Sequence, residues 1–214
     1  MTCCATNGTG KFFSKYALQY EKYFRKKGLR PEQKHLAEGI RAQGVSNADL
    51  LEIGCGAGGL HLSLLQEGAS KAMGFDISER MIASAQKLAA EMGMQERTHY
   101  QQGDFVSLHE TVPSAEIAIL DKVLCCYENV RELIAASTAK ARRVYAVSYP
   151  RENAWVRRFF QAGIFFCKLL RSSFRPYYHS PQEIMRLIAA AGFEMAYERR
   201  TFIWAVQVFQ RKRD

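Results

Sequence analysis

A chain of 214 residues, 48% of them hydrophobic, has the length and the apolar content for one large α/β domain with a substantial core. With 5 Pro, 15 Gly and no Gly/Ser spacer, it has no visible linker or low-complexity tail, and no stretch reaches the roughly 18 apolar residues of a membrane span. The net charge of +9 and the pI near 9.3 leave nucleic acid, an anionic membrane surface and an acidic small molecule open as partners, so the placement of the charge matters more than its sum.

The opening Met1-Thr2-Cys3-Cys4-Ala5 has no basic segment leading into an apolar run, so no secretory signal is expected. The 6 cysteines are then expected to be reduced thiols in a cytoplasmic chain. Residues 1–44 form an N-terminal helical lid in this reading. Between Lys11 and Lys27, Phe13, Tyr16, Tyr20 and Tyr23/Phe24 recur at a helical period, which predicts one amphipathic helix ended by Gly28. A second helix is predicted from Pro31 to about Ala42.

From residue 45 to 150 strands and helices alternate. Strands are predicted at Leu50 to Ile53, Ala72 to Phe75, Thr98 to Tyr100, Ile117 to Leu120 and Val144 to Ser148. Helices are predicted after Gly59 through Leu65, from Glu79 to Met92 and from Arg131 to Ala139. In residues 181–214, a helix from Pro181 to Ala191, with Ser180 as N-cap and Gly192 past its end, precedes two strands, Phe193 to Arg199 and Phe202 to Phe209, expected to pair antiparallel. Five strand–helix steps closed by such a hairpin give an α/β fold: a Rossmann-like, doubly wound seven-stranded sheet with one antiparallel strand, in three α/β/α layers.

Three loops at strand ends carry the chemistry. Glu52-Ile53-Gly54-Cys55-Gly56-Ala57-Gly58 lies between a strand and a helix, where glycines let the backbone turn tightly and approach a ligand, and helix-start N–H groups favour an anion. No Lys-Ser/Thr follows, which excludes a P-loop, and Gly-x-Gly-x-Gly spacing argues against a nicotinamide cofactor. Asp76, with Ile77 after it, ends the second strand, where a carboxylate accepts from ribose hydroxyls. Asp104 and Phe105 follow the third, placed to meet an adenine amino group and ring.

This trio, with the fourth strand ending at Leu120-Asp121, resembles the class I S-adenosylmethionine-dependent methyltransferases over about residues 45 to 150. The resemblance implies S-adenosyl-L-methionine as methyl donor and S-adenosyl-L-homocysteine as product. It implies that Glu52, Gly54, Cys55, Gly56 and Gly58 hold the methionine part, that Asp76 and Ile77 hold the ribose, and that Asp104 and Phe105 contact adenine. Asp121 and Tyr16, the latter on a lid helix, are further expected cofactor contacts. A protein of this fold that binds the donor without catalysis would carry the same loops.

The acceptor is expected beyond the fourth strand, near Asp121, Lys122, Cys125, Cys126, Tyr127 and Glu128. The Asn/Asp-Pro-Pro-Tyr signature of nucleic-acid N-methyltransferases is absent there, so nucleic acid is not the expected partner; a small or amphipathic molecule, anionic or thiol-bearing, is. Val123-Leu124-Cys125-Cys126-Tyr127 and Arg175-Pro176-Tyr177-Tyr178-His179-Ser180 are similar to the magnesium-protoporphyrin IX O-methyltransferase branch, which implies a tetrapyrrole carboxylate as one acceptor. That branch commonly has His where Cys126 stands. His179, Asp121 and Tyr127 are the expected catalytic groups, with His179 the candidate base. The vicinal pairs Cys3-Cys4 and Cys125-Cys126 raise a soft-metal site, but lack C-x-x-C spacing; buried thiols are expected and no metal site.

Between Asn153 and Ser180 lie Arg157, Arg158, Lys168, Arg171 and Arg175, with no Asp or Glu, among Trp155, Phe159, Phe160, Phe165, Phe166, Phe174, Tyr177 and Tyr178. This basic aromatic insert, residues 151–180, reads either as a cap over an apolar anionic acceptor with shallow membrane contact through 153–178, or as a helix packed on the sheet with a solvated basic face.

Overall fold

Along the parallel strands, successive side chains leave in opposite directions, and both directions are apolar, so the sheet has to be covered twice. Leu50, Ile117, Ile119, Val144 and Ala146 join one buried cluster, whereas Leu51, Ala118, Leu120, Tyr145 and Val147 join the other. The computed structural model describes residues 3–169, 174 and 176–212, without the side chains of residues 3–7, 159, 160, 166 and 168.

The strands are β1 (Asp49–Ile53), β2 (Lys71–Asp76), β3 (Thr98–Gln102), β4 (Ala115–Asp121), β5 (Ala141–Pro150), β6 (Phe193–Arg200) and β7 (Trp204–Arg211). They form one seven-stranded sheet in the order β3-β2-β1-β4-β5-β7-β6. β1 to β5 are parallel, and β7 runs antiparallel to both β5 and β6, so it is the single reversed strand. The helices are α1 (Cys3–Ser14), α2 (Ala17–Lys27), α3 (Pro31–Ala42), α4 (Gly59–Gln66), α5 (Glu79–Glu91), α6 (Phe105–Leu108), α7 (Val130–Ala139), α8 (Ala154–Leu169) and α9 (Pro181–Ala190). Buried residues of α3, α4 and α5 cover one face of the sheet, and those of α6, α7 and α9 the other. This is the three-layer, doubly wound arrangement read from the alternation. Its order reverses between β1 and β4, which opens a crevice at the carboxyl ends of those strands.

Three local expectations need correction. The single helix expected from Lys11 to Lys27 is two helices, α1 and α2, broken at Lys15 and Tyr16. The break lets each rest on its own support. Gly10 of α1 comes so close to the Ile77 carbonyl that an added Cβ would lie 2.9 Å from it, and Ser14 Oγ bonds Ser78 Oγ at 2.8 Å, while Glu21 of α2 bonds Lys87 of α5 at 2.9 Å. Ser180 stands at the N-cap of α9 but does not cap it with its side chain; its Oγ turns to Gln182 Oε1 at 2.5 Å. The short helix α6, capped by Asp104, carries no periodic signal of its own.

Candidate active site

Gly54, Gly56 and Gly58 all have positive φ (67°, 54° and 82°), so the loop after β1 winds through backbone shapes that side chains resist. At Gly54 the constraint is also steric: a Cβ would sit 2.5 Å from Val123 Cγ2. The loop is tied to the neighbouring strand. Cys55 N–H donates to the Phe75 carbonyl at 2.8 Å, and Gly56 N–H donates to Asp76 Oδ2 at 2.9 Å. Asp76 Oδ1 accepts from Ser78 N–H at 2.8 Å. Burial pushes the Asp76 carboxyl up to about 6, against the pull of those two N–H donors.

Glu52 lies under the loop. Its carboxylate meets His61 Nδ1 at 2.5 Å and the His61 N–H at 3.3 Å, and His61 Nε2 faces the Tyr100 hydroxyl at 2.8 Å. Both Glu52 and His61 are buried, and burial raises the Glu52 pKa against the pull of His61. The pair locks β1 to the first turn of α4, and so fixes both ends of the glycine loop.

Around this loop opens a solvent-connected cavity. Glu52, Gly54, Cys55, Gly56, Asp76, Ile77, Asp104, Phe105, Asp121 and Tyr127 all line it. Gly58 sits behind the loop as the left-handed residue before α4, where a Cβ would touch the His61 ring at 3.0 Å. Asp104 caps α6 by accepting from Val106 N–H at 3.2 Å, and its Oδ2 also accepts from the Tyr127 hydroxyl at 3.2 Å. Phe105 is buried, its ring edge-on to Phe75 at 5.4 Å.

Asp121, at the end of β4, is enclosed by donors: Ser148 Oγ at 2.5 Å, Gln33 Nε2 at 3.0 Å and Lys122 Nζ at 3.3 Å. Lys122 takes a left-handed backbone (φ 60°) and also reaches Glu32 at 2.7 Å. Burial works against its ammonium, but Asp121 and Glu32 outweigh that and raise the pKa. Glu32 and Gln33 belong to α3, so this network joins that helix to the carboxyl ends of the sheet.

Tyr16 and His179 stand apart from the cavity. Tyr16, 39% exposed in the break between α1 and α2, packs its ring on Phe12 at 5.2 Å. Phe13, Tyr20, Tyr23 and Phe24 line the cavity in its stead. His179 Nε2 lies 2.8 Å from the Tyr127 carbonyl, so that nitrogen carries the proton and anchors the segment before α9; Tyr177 N–H bonds the Cys125 carbonyl beside it at 2.8 Å. The Cys125 and Cys126 sulfurs lie 3.9 Å apart, and each thiol donates to the Lys122 carbonyl at 3.4 Å. The neighbouring Cys125 thiol and burial push the Cys126 thiol well up, so it stays protonated. Among the described residues no His, Cys, Asp and Glu cluster is arranged for a metal ion, and the side chains of Cys3 and Cys4 lie outside the described residues.

Several cavity residues escaped the sequence reading, Gln33 and Arg30 among them. Arg30, immediately before Pro31, lines the cavity with its guanidinium 4.2 Å from the Tyr23 ring centre and 5.0 Å from that of Tyr20. Two tyrosines three residues apart, followed by a basic residue at a helix start, are the signal that would have found it.

A mostly parallel sheet of this order, with a closed glycine loop, an acid ending β2 and a capped acid after β3, is a Rossmann-like arrangement whose crevice lies at the carboxyl ends of β1 and β4. Residues 50–146 match the family described as a methyltransferase domain. Over 49 residues, 23% of this chain, it is 45% identical to the ribosomal RNA small subunit methyltransferase A of Chelativorans sp. (strain BNC1), a stretch that spans only 18% of that protein. The magnesium protoporphyrin IX methyltransferase of Synechocystis PCC 6803 with bound S-adenosylhomocysteine superposes with a TM-score of 0.69 at 22% identity, covering 85% of this chain and 82% of that one. An O-methyltransferase family protein from Burkholderia thailandensis gives 0.70 at 15% identity, over 91% of this chain and 59% of that one. Among the described residues no helix is long and apolar enough to cross a membrane.

Proposed function

We propose that the cavity holds S-adenosylmethionine beside a small or amphipathic acceptor that is methylated on a carboxylate. In this reading the amides of residues 54 to 58 hold the methionine part, Asp76 accepts from the ribose hydroxyls, and Asp104 and Phe105 border the adenine. The glycine cradle that a Cβ at Gly54 would fill fits that group. The donor supplies an activated methyl on a sulfonium. The acceptor oxygen forms the new C–O bond as the S–CH₃ bond breaks, its electron pair returning to sulfur, so that S-adenosylhomocysteine leaves.

The charge of the cavity wall carries this reading. Each lining carboxylate is already held by donors: Glu52 by His61, Asp76 by Gly56 and Ser78, Asp104 by Val106 and Tyr127, Asp121 by Ser148, Gln33 and Lys122. No histidine lines the cavity among the described residues. A wall without an unengaged base suits an acceptor that needs no deprotonation, and a carboxylate is ionised at neutral pH. Arg30, which meets no carboxylate among the described residues, is the cation left to receive it. The protein's role is then alignment and exclusion of water. The magnesium protoporphyrin IX methyltransferase named above supports a tetrapyrrole carboxylate as the particular acceptor. The same engaged carboxylates also suit a chain that binds the donor without catalysis.

The test has two stages. Calorimetry with S-adenosylmethionine and S-adenosylhomocysteine measures the cofactor site. A screen with tritiated methyl donor then compares carboxylates, including porphyrin propionates, with thiols and phenols. Base-labile label on carboxylates is expected. Label on thiols or phenols alone would sink the acceptor class, and tight donor binding with no transfer to any acceptor would leave the binding-only reading.

A further inference from the structure

Helix α8 is unlike the other helices in what it shows to water. At 3.6 residues per turn, Val156, Gly163 and Cys167 fall within an arc of about 40°. Val156 is buried, and Gly163 and Cys167 are half-buried, so this face rests on the protein. Trp155, Ala162, Phe165 and Leu169 fall within a second arc of about 80°. Arg158 falls within the same arc; the rest of that face is apolar and exposed, Trp155 at 72%, Phe165 at 62% and Leu169 at 65%. A helix with one face on the protein and a second, largely apolar face exposed to solvent presents a surface of the kind that marks an interaction site.

A second apolar group lies at the same edge. Arg151 N–H donates to the Ile203 carbonyl at 2.9 Å and Pro150 pairs with Trp204, which puts the β6–β7 turn beside the start of α8. That turn presents Phe202, the most exposed large apolar side chain of the described residues at 81%. The surrounding charge is one-signed. Arg157, Arg158, Arg199 and Arg200 are exposed, and the chain from Asn153 to Ser180 has 5 basic residues and no acidic one. The nearby acids are engaged, Glu152 by Gln182 and Glu198 by Arg200.

We propose that α8 and the β6–β7 turn dock this protein on an anionic lipid surface. Trp155, Phe165, Leu169 and Phe202 enter the headgroup–acyl boundary, and Arg157 and Arg158 meet the headgroups; the Arg158 guanidinium, 5.9 Å from the Trp155 ring centre, extends along that face. Charge selects this occupant over a second copy of the chain, because pairing two molecules of net charge +9 through α8 would set its arginines against each other. The surface leads to the cavity: Phe174, beyond α8, stacks on Phe12 at 4.6 Å and meets Phe13, a cavity residue, at 5.4 Å. An amphipathic acceptor partitioned into the bilayer would reach the site from there. That delivery rests on the proposed function; the docking itself does not.

The full chain is sedimented with phosphatidylcholine vesicles with and without phosphatidylglycerol, at low and high salt. Co-sedimentation with the anionic vesicles at low salt is expected, falling about tenfold or more with pure phosphatidylcholine or high salt. Trp155→Glu/Phe165→Glu and, separately, Phe202→Glu should lose vesicle binding with circular dichroism and S-adenosylmethionine affinity unchanged. No pelleting with anionic vesicles at low salt would overturn the docking, as would binding that survives both variants. A concentration-dependent dimer that Phe165→Glu dissociates, without vesicle binding, would assign the face to a second copy and overturn it equally. Because donor affinity is read separately, a failed acceptor screen leaves this result standing.

Discussion

The carboxylate of Asp76 accepts the N–H of Gly56 at 2.9 Å, so the acid ending β2 shapes the glycine loop after β1 as well as facing the cavity. Replacing it with Asn leaves one acceptor oxygen for two N–H donors, those of Gly56 and Ser78, and turns an amide NH₂ towards the other. Asp76→Asn is expected to weaken S-adenosylmethionine binding by about tenfold to a hundredfold, the range of one or two charged hydrogen bonds. Titration calorimetry of wild type and variant checks this; an unchanged Kd would remove Asp76 from the cofactor site.

The same carboxyl makes stability and donor affinity respond to pH in opposite directions. Burial raises its pKa from 3.8 to about 6, so the fold holds this proton more tightly than the unfolded chain does. Its contribution to stability is therefore fully present below pH 3.8 and lost as pH rises through about 6. In the proposed site the ribose hydroxyls would donate best to the ionised form, so donor affinity should fall as pH drops through about 6. Parallel melts and binding isotherms on both sides of that pH, with Asp76→Asn as reference, isolate the effect. Affinity that is flat across the window, or that changes equally in the variant, would contradict it.

How much of this was legible follows from where the information resides. The positions of the glycine loop and Asp76 were readable because each follows a strand with buried apolar residues, a local pattern; Asp104 follows β3, which is polar with no buried residue, so only its place in the strand–helix alternation marked it. Strand lengths were less readable: β5 runs on to Pro150 because β7 pairs along it from Gln210 to Trp204, and back to Ala141 because Ala115 of β4 pairs there, and no hydrophobic pattern marks either end. The break between α1 and α2 was invisible because its cause is distant in sequence, the close approach of Gly10 to Ile77 and of Ser14 to Ser78. Arg30 was missed for a similar reason. Only the fold of α2 back over the sheet brings its guanidinium, between two tyrosines, into the wall that Asp121 and Tyr127 share.

Beneath the loop, Glu52 and His61 form a buried pair at 2.5 Å whose far nitrogen is taken by Tyr100. Removing one partner of such a pair leaves an uncompensated polar group with no water to receive it. Glu52→Ala should cost about 3–5 kcal/mol of folding stability, and Glu52→Gln, which keeps an acceptor for Nδ1, about 1 kcal/mol. Urea denaturation measures both. Equal losses in the two variants would mean that the carboxylate's charge, which both remove, is what matters, and not the side-chain volume or a neutral acceptor for Nδ1.

Gly54→Ala tests the loop's backbone. The substitution meets two obstacles, a φ of 67° and the Val123 Cγ2 methyl 2.5 Å from the new Cβ. The first costs about 1–2 kcal/mol and the second about 1–3 kcal/mol of overpacking unless Val123 moves. Adding Val123→Ala should recover the steric part alone, so the double variant is expected to be more stable than Gly54→Ala. Donor affinity should stay low in both, because the backbone strain remains. Full recovery of affinity in the double variant would show that only the methyl clash had disturbed the site.

Arg30 discriminates between acceptor and donor as the anion it receives. Its guanidinium is held against Tyr23 and Tyr20, so Arg30→Met keeps most of the packing volume while removing the charge. For a carboxylate acceptor bound there, KM should rise by about tenfold to a hundredfold, the usual loss for one charged hydrogen-bonding partner, with the donor's Kd nearly unchanged. Arg30→Lys should recover part of the loss, since an ammonium restores the charge but not the planar two-pronged contact. Steady-state kinetics with a carboxylate acceptor and calorimetry with S-adenosylmethionine supply the two numbers. A loss that falls mainly on donor affinity would reassign Arg30 to the methionine carboxylate, and would take away the cation on which an anionic acceptor depends.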